Sequence, residues 1–141
     1  MRDNARLFDQ YEEMDVLAAN VPDAGGVVFV PAFTGLDVPY NNPAARASIL
    51  GLTLGHDRGH IARAFFESIG YQIRAILETI SDDTNLQVKN LLVGGGVSAS
   101  DQACQIQADL LGIPVLRNTF TETTAWAAGL LAGLGSGIWS G

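Results

Sequence analysis

A run of three glycines in the second half of the chain carries the clearest chemical signal. An apolar, strand-like run at residues 91–93 enters Gly94, Gly95 and Gly96, and small polar residues then lead into a helical pattern at Ser100. Glycine lets the backbone approach a ligand closely and adopt positive φ, and a helix start offers unpaired N–H groups. Residues 94–99, here called the glycine turn, are therefore typical of a phosphate- or nucleotide-facing loop, although three glycines also make an ordinary strand-to-helix connection.

Other reactive arrangements near this turn are incomplete. The glycines are not followed by Gly-Lys-Ser or Gly-Lys-Thr, so any phosphate contact would come from the backbone. Ser98 and Ser100 do not lie in a Gly-x-Ser-x-Gly motif, which the nucleophile elbow of a hydrolase requires. We therefore assign no catalytic residue.

Two histidines give a weak indication of a metal site. His56 and His60 are four residues apart, a spacing that places both on one helix face and can ligate zinc. The HExxH pattern is absent, because Asp57 follows His56 and Gly59 precedes His60. We therefore expect capping or surface roles at the start of a helix, and we assign no metal ligand.

Composition restricts the possible partners. The 141 residues are 48% hydrophobic, enough for one domain with a real core, and 15 acidic against 8 basic residues give a net charge of −7. This charge disfavours non-specific binding to nucleic acid or to an anionic membrane surface. The single Cys104 excludes a disulfide scaffold and fits a small buried side chain in a reduced compartment. No signal peptide is visible, and the apolar tail at 125–139 is too short to span a bilayer, so we expect a cytoplasmic protein.

Hydrophobic periodicity predicts the elements that position the glycine turn. The firmest is a helix from Asp57 to about Ile80, whose isoleucines, leucines and phenylalanines recur at three- and four-residue spacing. We further predict helices at 5–20, 100–111 and from about Thr121, strands at 26–31, 47–54, 87–93 and 112–116, and an ordered loop at 32–47. The alternation of strands and helices predicts an α/β domain with a mixed or parallel sheet, in which the later strands are parallel.

Three further side chains have structural interpretations. Trp126 is predicted to lie in the core or at a subunit contact, and Trp139 is predicted to close the last helix against the domain. Arg46 is predicted either to pair with a loop carboxylate such as Asp37 or to be solvated.

In this order the segments resemble the C-terminal part of the FGGY carbohydrate kinases, and within them the glycerol-kinase branch. The resemblance covers most of the chain and rests on residues 30–36 (VPAFTGL), 39–40 (PY) with Pro43 and Arg46, 49–53 (ILGLT), 60–64 (HIARA), 105–115 (QIQADLLGIPV), 121–125 (TETTA), Ala128 and 131–134 (LAGL). It implies an actin-like, ribonuclease-H-like ATPase fold of two domains, with the sugar or polyol in the cleft and ATP mainly on the C-terminal side.

The resemblance also assigns nucleotide contacts, with three departures from the family pattern. The glycine pair at Gly95 and Gly96 and the position of Ser100 match the family's nucleotide-contacting glycines and asparagine. Here Gly94 replaces the family's aspartate, Ser100 replaces its asparagine, and Asn41-Asn42 replaces its Trp-Asp. Because serine is shorter than asparagine, the contact at Ser100 could be mediated by water.

The family's phosphate loop, polyol-contacting residues and catalytic aspartate lie upstream of the matched segments. The resemblance therefore implies that residues 1–141 are a partial, ATP-side C-terminal domain, truncated on its N-terminal side. It also implies ATP or ADP with magnesium as cofactors, glycerol as the substrate of the full-length parent, and an inactive isolated chain. Two alternatives stay open: a kinase for another sugar or polyol of the family, and a non-enzymatic truncated paralogue that acts only through association, for example as a homo-oligomer.

Overall fold

The computed structural model describes residues 6–118 and 122–139. In chain order the elements are α1 (Tyr11–Ala19), β1 (Val28–Val30), β2 (Ser48–Leu50), α2 (Arg58–Thr84), β3 (Leu91–Val93), α3 (Asp101–Leu111), β4 (Val115–Arg117) and α4 (Thr123–Gly135). β1 and β2 pair antiparallel, with Phe29 opposite Ile49, and β3 and β4 pair parallel, with Leu92 opposite Leu116. The predicted parallel pairing of the later strands is confirmed.

The long helix α2 is the centre of the fold. It begins after Asp57, whose carboxylate accepts hydrogen bonds from the backbone N–H groups of Gly59 and His60. It runs a full turn beyond the predicted end near Ile80 and stops at Asn85, which has left-handed backbone angles. Serine and aspartate are poor helix formers in general, but at this exposed end they extend the helix until Asn85 adopts the stop conformation.

Both long sides of α2 are covered by apolar side chains. One buried cluster lies between α1, α2 and α3, and it contains Phe8, Met14, Ala18, Ala62, Phe66, Ala103 and Ile106. A second cluster lies between α2 and β1, and it contains Ala24, Val27, Phe29 and Ala64. Phe65 packs against both clusters and meets the Phe29 ring edge-on at 5.4 Å between centroids. The core therefore consists of two apolar layers, one on each side of α2.

The strands are shorter than their patterns predicted. The prediction for 47–54 corresponds to β2 at Ser48–Leu50, and the prediction for 87–93 corresponds to β3 at Leu91–Val93. Each described sheet has only two strands, so the apolar flanks lack a neighbour with which to pair. The loop predicted at 32–47 is ordered, and Leu36 and Asn42 exchange two backbone hydrogen bonds of 2.9 and 2.7 Å.

The two tryptophans predicted at the last helix differ in their surroundings. Trp139 folds back on Gly133 of α4 itself, where a Cβ would come within 1.9 Å of the indole ring, and its predicted packing against the domain stays a prediction. Trp126 is 61% exposed, so it does not lie in the core of the described chain, and a subunit contact, the other alternative, stays a prediction. Glu122 precedes α4 and makes no capping hydrogen bond with its side chain, and Thr121 of the predicted start lies outside the described residues.

Among the described helices, none combines the length and the hydrophobicity that spanning a membrane requires.

A glycine at the start of α2 provides a test of the packing between α1 and α2. A Cβ on Gly59 would lie 2.8 Å from the backbone oxygen of Leu17, which is in the last turn of α1. The Leu17 backbone cannot move aside as easily as a flexible side chain, so the new methyl group would force the two helices apart. We therefore expect Gly59→Ala to lower the free energy of unfolding by about 1–3 kcal/mol. Gly129→Ala on α4, where nothing lies within 4 Å of the new methyl group, is the matched control and should not destabilise the chain. Equal urea midpoints for Gly59→Ala and the unsubstituted chain would contradict the close approach.

Candidate functional site

The glycine turn presents bare backbone to an open space. β3 ends at Val93, Gly95 has a positive φ of 91° that favours glycine, and Gly96 begins a short 3-10 helix that ends at Ala99. A Cβ placed on Gly95 or Gly96 would meet no atom within 4 Å, whereas one on Gly94 would lie 2.9 Å from Thr123 Oγ1. Gly94 therefore packs against the start of α4, and Gly95 and Gly96 leave room for a ligand.

Two side chains hold the turn from within and from β4. The buried Ser98 donates its hydroxyl proton to the Gly95 carbonyl oxygen at 2.7 Å. Arg117, the last residue of β4, donates to the carbonyl oxygens of Ser98 and Ala99 at 3.4 Å and pairs with Asp101 at 2.6 Å. The shape of the turn is thus fixed without any side chain at Gly95 or Gly96.

Ser100 connects the turn to two helices. Its hydroxyl oxygen accepts a hydrogen bond from the Ala103 N–H at 2.9 Å, which caps α3. Its hydroxyl proton is donated to the Asp15 carboxylate on α1. Asp15 lies 85 residues earlier in the chain, so no local sequence pattern pointed to it.

These groups line an open cleft of about 760 Å³ between α1, α2 and the glycine turn. Its wall is formed by aromatic rings, two carboxylates and turn residues, namely Phe8, Tyr11, Glu12, Met14, Asp15, Phe33, Phe65, Phe66, Gly96, Val97, Ala99 and Ser100. Of the three predicted nucleotide contacts, Gly96 and Ser100 lie in this wall, and Gly95 immediately precedes them. A volume of this size suits a small organic ligand.

Cys104 lies behind the turn and not in the cleft. Its thiol donates to the Ser98 carbonyl oxygen at 3.5 Å. Partial burial raises the pKa of the Cys104 thiol, while the charge and hydrogen bond of Arg117 act in the opposite direction. A thiol with a raised pKa is a poor nucleophile, which agrees with the structural role predicted for it.

The two histidines have structural roles at the start of α2. His56 Nδ1 accepts from the Thr53 N–H at 2.9 Å, so Nε2 carries the proton and donates it to the Gly25 carbonyl oxygen at 3.0 Å. His60 Nδ1 lies 2.8 Å from the Asp57 carboxylate and 3.2 Å from the Asp57 N–H, and the shorter contact assigns the proton to Nδ1. Among the residues that the structure describes, no group of three or more His, Cys, Asp or Glu could hold a metal ion. The expected capping role is confirmed for His60, whereas His56 bonds the loop that precedes the helix.

The loop arginine also has a structural role. Arg46 donates to the carbonyl oxygens of Pro43 and Ala45 at 2.9 and 2.8 Å. Both acceptors belong to the same loop. Arg46 is therefore held by backbone carbonyl groups and not by the predicted ion pair with Asp37.

The Asp57–His60 contact predicts a pH dependence of stability. The hydrogen bond from His60 lowers the pKa of Asp57 below its usual value of 3.8, so the folded state favours the ionised carboxylate. The stabilisation is present above about pH 4 and is lost as the pH falls through the folded-state pKa. We expect Asp57→Asn to be less stable than the unsubstituted chain near pH 7, with a difference that shrinks below pH 4 in urea unfolding. Asp83→Asn, at the other end of α2, controls for the loss of one exposed carboxylate, and a pH-independent difference for Asp57→Asn would contradict the assignment.

Comparison with known proteins agrees with this architecture. Residues 1–136 match the FGGY family of carbohydrate kinases, C-terminal domain. A glycerol kinase of Ralstonia pickettii strain 12J is 48% identical over 139 residues, which cover 99% of this chain and 28% of that protein. Glycerol kinase 1 of Saccharolobus solfataricus is 45% identical over the same shares of the two chains.

Solved structures of the family share the fold. The crystal structure of Plasmodium falciparum glycerol kinase with ADP superposes with a TM-score of 0.79 and 31% identity, covering 96% of this chain and 27% of that chain. A xylulose kinase of Rhodospirillum rubrum gives a TM-score of 0.68 and 31% identity, covering 92% and 26%. The expected actin-like α/β fold, in the form of a partial C-terminal domain, is confirmed.

The chain spans a little over a quarter of the length of the curated relatives that it matches, with a share of 28%. The family match extends over almost the whole chain, and the relatives share close to half of their residues with it in that region. The chain belongs to the FGGY family of carbohydrate kinases and corresponds to part of the C-terminal domain of its members.

Proposed function

We propose that the cleft beside the glycine turn binds ATP or ADP, with Gly95, Gly96 and Ser100 as contacts. The observation that carries this proposal is the bare backbone of Gly95 and Gly96, which no other atom of the described chain approaches on its open side. Gly96 and Ser100 face a cleft large enough for a nucleoside. The similarity to a glycerol kinase solved with ADP supports the choice of nucleotide.

The charges around the cleft favour the nucleoside end of the nucleotide over its phosphates. The carboxylates of Glu12 and Asp15 line the cleft, and Asp101 occupies the first turn of α3. Phosphates would meet these negative charges, of which Arg117 offsets one through its pair with Asp101, whereas a neutral base would not. The exposed rings of Tyr11 and Phe33 offer flat apolar surface, as stacking on a base requires.

For the whole protein we propose ATP-dependent phosphorylation of glycerol to glycerol 3-phosphate. ATP supplies the γ-phosphoryl group, which is transferred to a hydroxyl oxygen of glycerol while ADP and the hydroxyl proton are released. Residues 1–141 form the ATP-side domain in this proposal. They hold and orient the nucleotide and contribute no catalytic residue, so transfer depends on groups from the remainder of the protein.

Two further parts of the proposal concern the cofactor and the compartment. Magnesium would accompany the nucleotide phosphates, as phosphoryl transfer requires, and we assign none of the described residues to it. The lone, partly buried Cys104 and the kinase family fit a cytoplasmic protein that acts on small molecules.

Two alternatives have support of their own. Xylulose kinases share the fold, so the substrate could be another sugar or polyol; glycerol is preferred because relatives at 45% identity or more are glycerol kinases. The chain could instead act only through association, as a homo-oligomer, because apolar side chains such as Leu131 and Ile138 on and after α4 are about 70% exposed.

Nucleotide binding can be tested on this chain. Titration with ADP should shift the backbone amide resonances of residues 94–101, and Gly96→Ala should weaken ADP binding by about tenfold or more. The new methyl group would meet no protein atom, so the loss would be due to the ligand and not to misfolding. Gly129→Ala, remote from the cleft, should bind as the unsubstituted chain does. Unmoved amides at 94–101 together with concentration-dependent light scattering would contradict the proposal and support association instead.

Activity gives a second test. In a coupled ADP-release assay with ATP, magnesium and glycerol, we expect no turnover by this chain alone, because the described residues include no catalytic constellation. Turnover should be detectable when the preceding part of a glycerol kinase relative is supplied as a separate chain, and Gly96→Ala should reduce it. Glycerol-dependent turnover by the isolated chain would contradict the proposed division of roles.

A further inference from the structure

The hydroxyl of Ser100 has little bonding capacity left for a ligand. A serine hydroxyl has one proton to donate and two lone pairs with which to accept. The proton is donated to the Asp15 carboxylate, which can only accept, and one lone pair accepts from the Ala103 N–H. Toward the cleft, Ser100 can therefore offer only its second lone pair.

We infer that Asp15 is a specificity-determining residue, which makes Ser100 an acceptor for the ligand and so selects a base with an amino group over one with a carbonyl oxygen. The inference rests on the proposed function, since it assumes that a nucleotide base reaches Ser100. Asp15 acts through Ser100 and is in this sense a positioning residue. The group that it selects is a hydrogen-bond donor, such as the exocyclic 6-amino group of adenine.

The placement of Asp15 is fixed by packing and not by the polar contact alone. Its neighbours on α1, Met14 and Ala18, are buried against α2 and α3 in the larger core cluster. Ser100 is held by its cap on α3. Packing thus fixes the backbones that carry Asp15 and Ser100, and the carboxylate, which can only accept, keeps the hydroxyl proton on its side.

Because Ser100 can only accept a hydrogen bond from the ligand, it favours one purine base over another. Adenine and hypoxanthine have the same shape but differ along the N1–C6 edge. At position 6 adenine carries an amino donor and hypoxanthine a carbonyl acceptor, and at position 1 adenine has an acceptor nitrogen and hypoxanthine an N–H donor. An amino group would donate to the free lone pair of Ser100, whereas a carbonyl oxygen would face that lone pair with no proton between them. One hydrogen bond made or left unmade in this way corresponds to about tenfold in affinity.

Calorimetric titration of ADP and IDP into the full 141-residue chain tests the inference. The unsubstituted chain should bind ADP about tenfold more tightly than IDP. Asp15→Ala frees the hydroxyl proton, so Ser100 can donate to a carbonyl oxygen, and the preference should fall to about twofold. Glu12→Ala removes a carboxylate from the same cleft without touching Ser100, and it should keep the tenfold ratio whatever it does to overall affinity.

Several results of these titrations would contradict the inference. Equal binding of ADP and IDP by the unsubstituted chain, an unchanged ratio in Asp15→Ala, or an equal loss of preference in Glu12→Ala would overturn the role of Asp15 while leaving nucleotide binding intact. No binding of either nucleotide would overturn the proposed function and this inference with it. Should Asp15→Ala not fold, Asp15→Leu, which retains side-chain bulk but accepts no hydrogen bond, is titrated in the same way.

Discussion

Burial of α2 on both of its long sides is the constraint on which the rest of the structure depends. Ala62 and Phe66 are buried between α1 and α3, while Ala64 faces the cluster around β1. Small residues at these positions let the neighbouring backbones approach closely, and the apolar area removed from water contributes about 25 cal/mol per Å². Because α1 and α3 share one side of α2, their positions relative to each other are set by that helix.

The polar features of the cleft follow from this apolar arrangement. α1 brings Asp15 to the cleft, α3 brings Ser100, and the parallel pairing of β3 with β4 brings Arg117 under the glycine turn. Surface ion pairs such as Arg117–Asp101 contribute little free energy by themselves. Their effect is geometric, because they hold a turn in which the backbone of Gly95 and Gly96 stays accessible.

Sequence could predict the parts of this arrangement that are local. The regular spacing of apolar residues predicted α2, and the glycines between an apolar run and a helical pattern predicted the turn and its exposure. The predicted strands were too long. The apolar residues at 87–93 indicate which side chains can be buried, but β3 extends only over the three residues that pair with β4. The contact between Asp15 and Ser100 could not be predicted, since 85 residues separate them and only the packing of α1 and α3 on α2 brings them together.

The two departures from the family pattern at the turn have different physical consequences. Position 94 has no room for a side chain unless Thr123 moves, so glycine there lets the end of β3 approach the start of α4. Position 100 is the N-cap of α3, which serine fills as well as asparagine does. An asparagine carries both donor and acceptor groups in its side-chain amide, whereas a serine has a single proton whose direction depends on its neighbours. With serine at this position, the hydrogen-bonding character of the cleft is therefore set by α1, through Asp15.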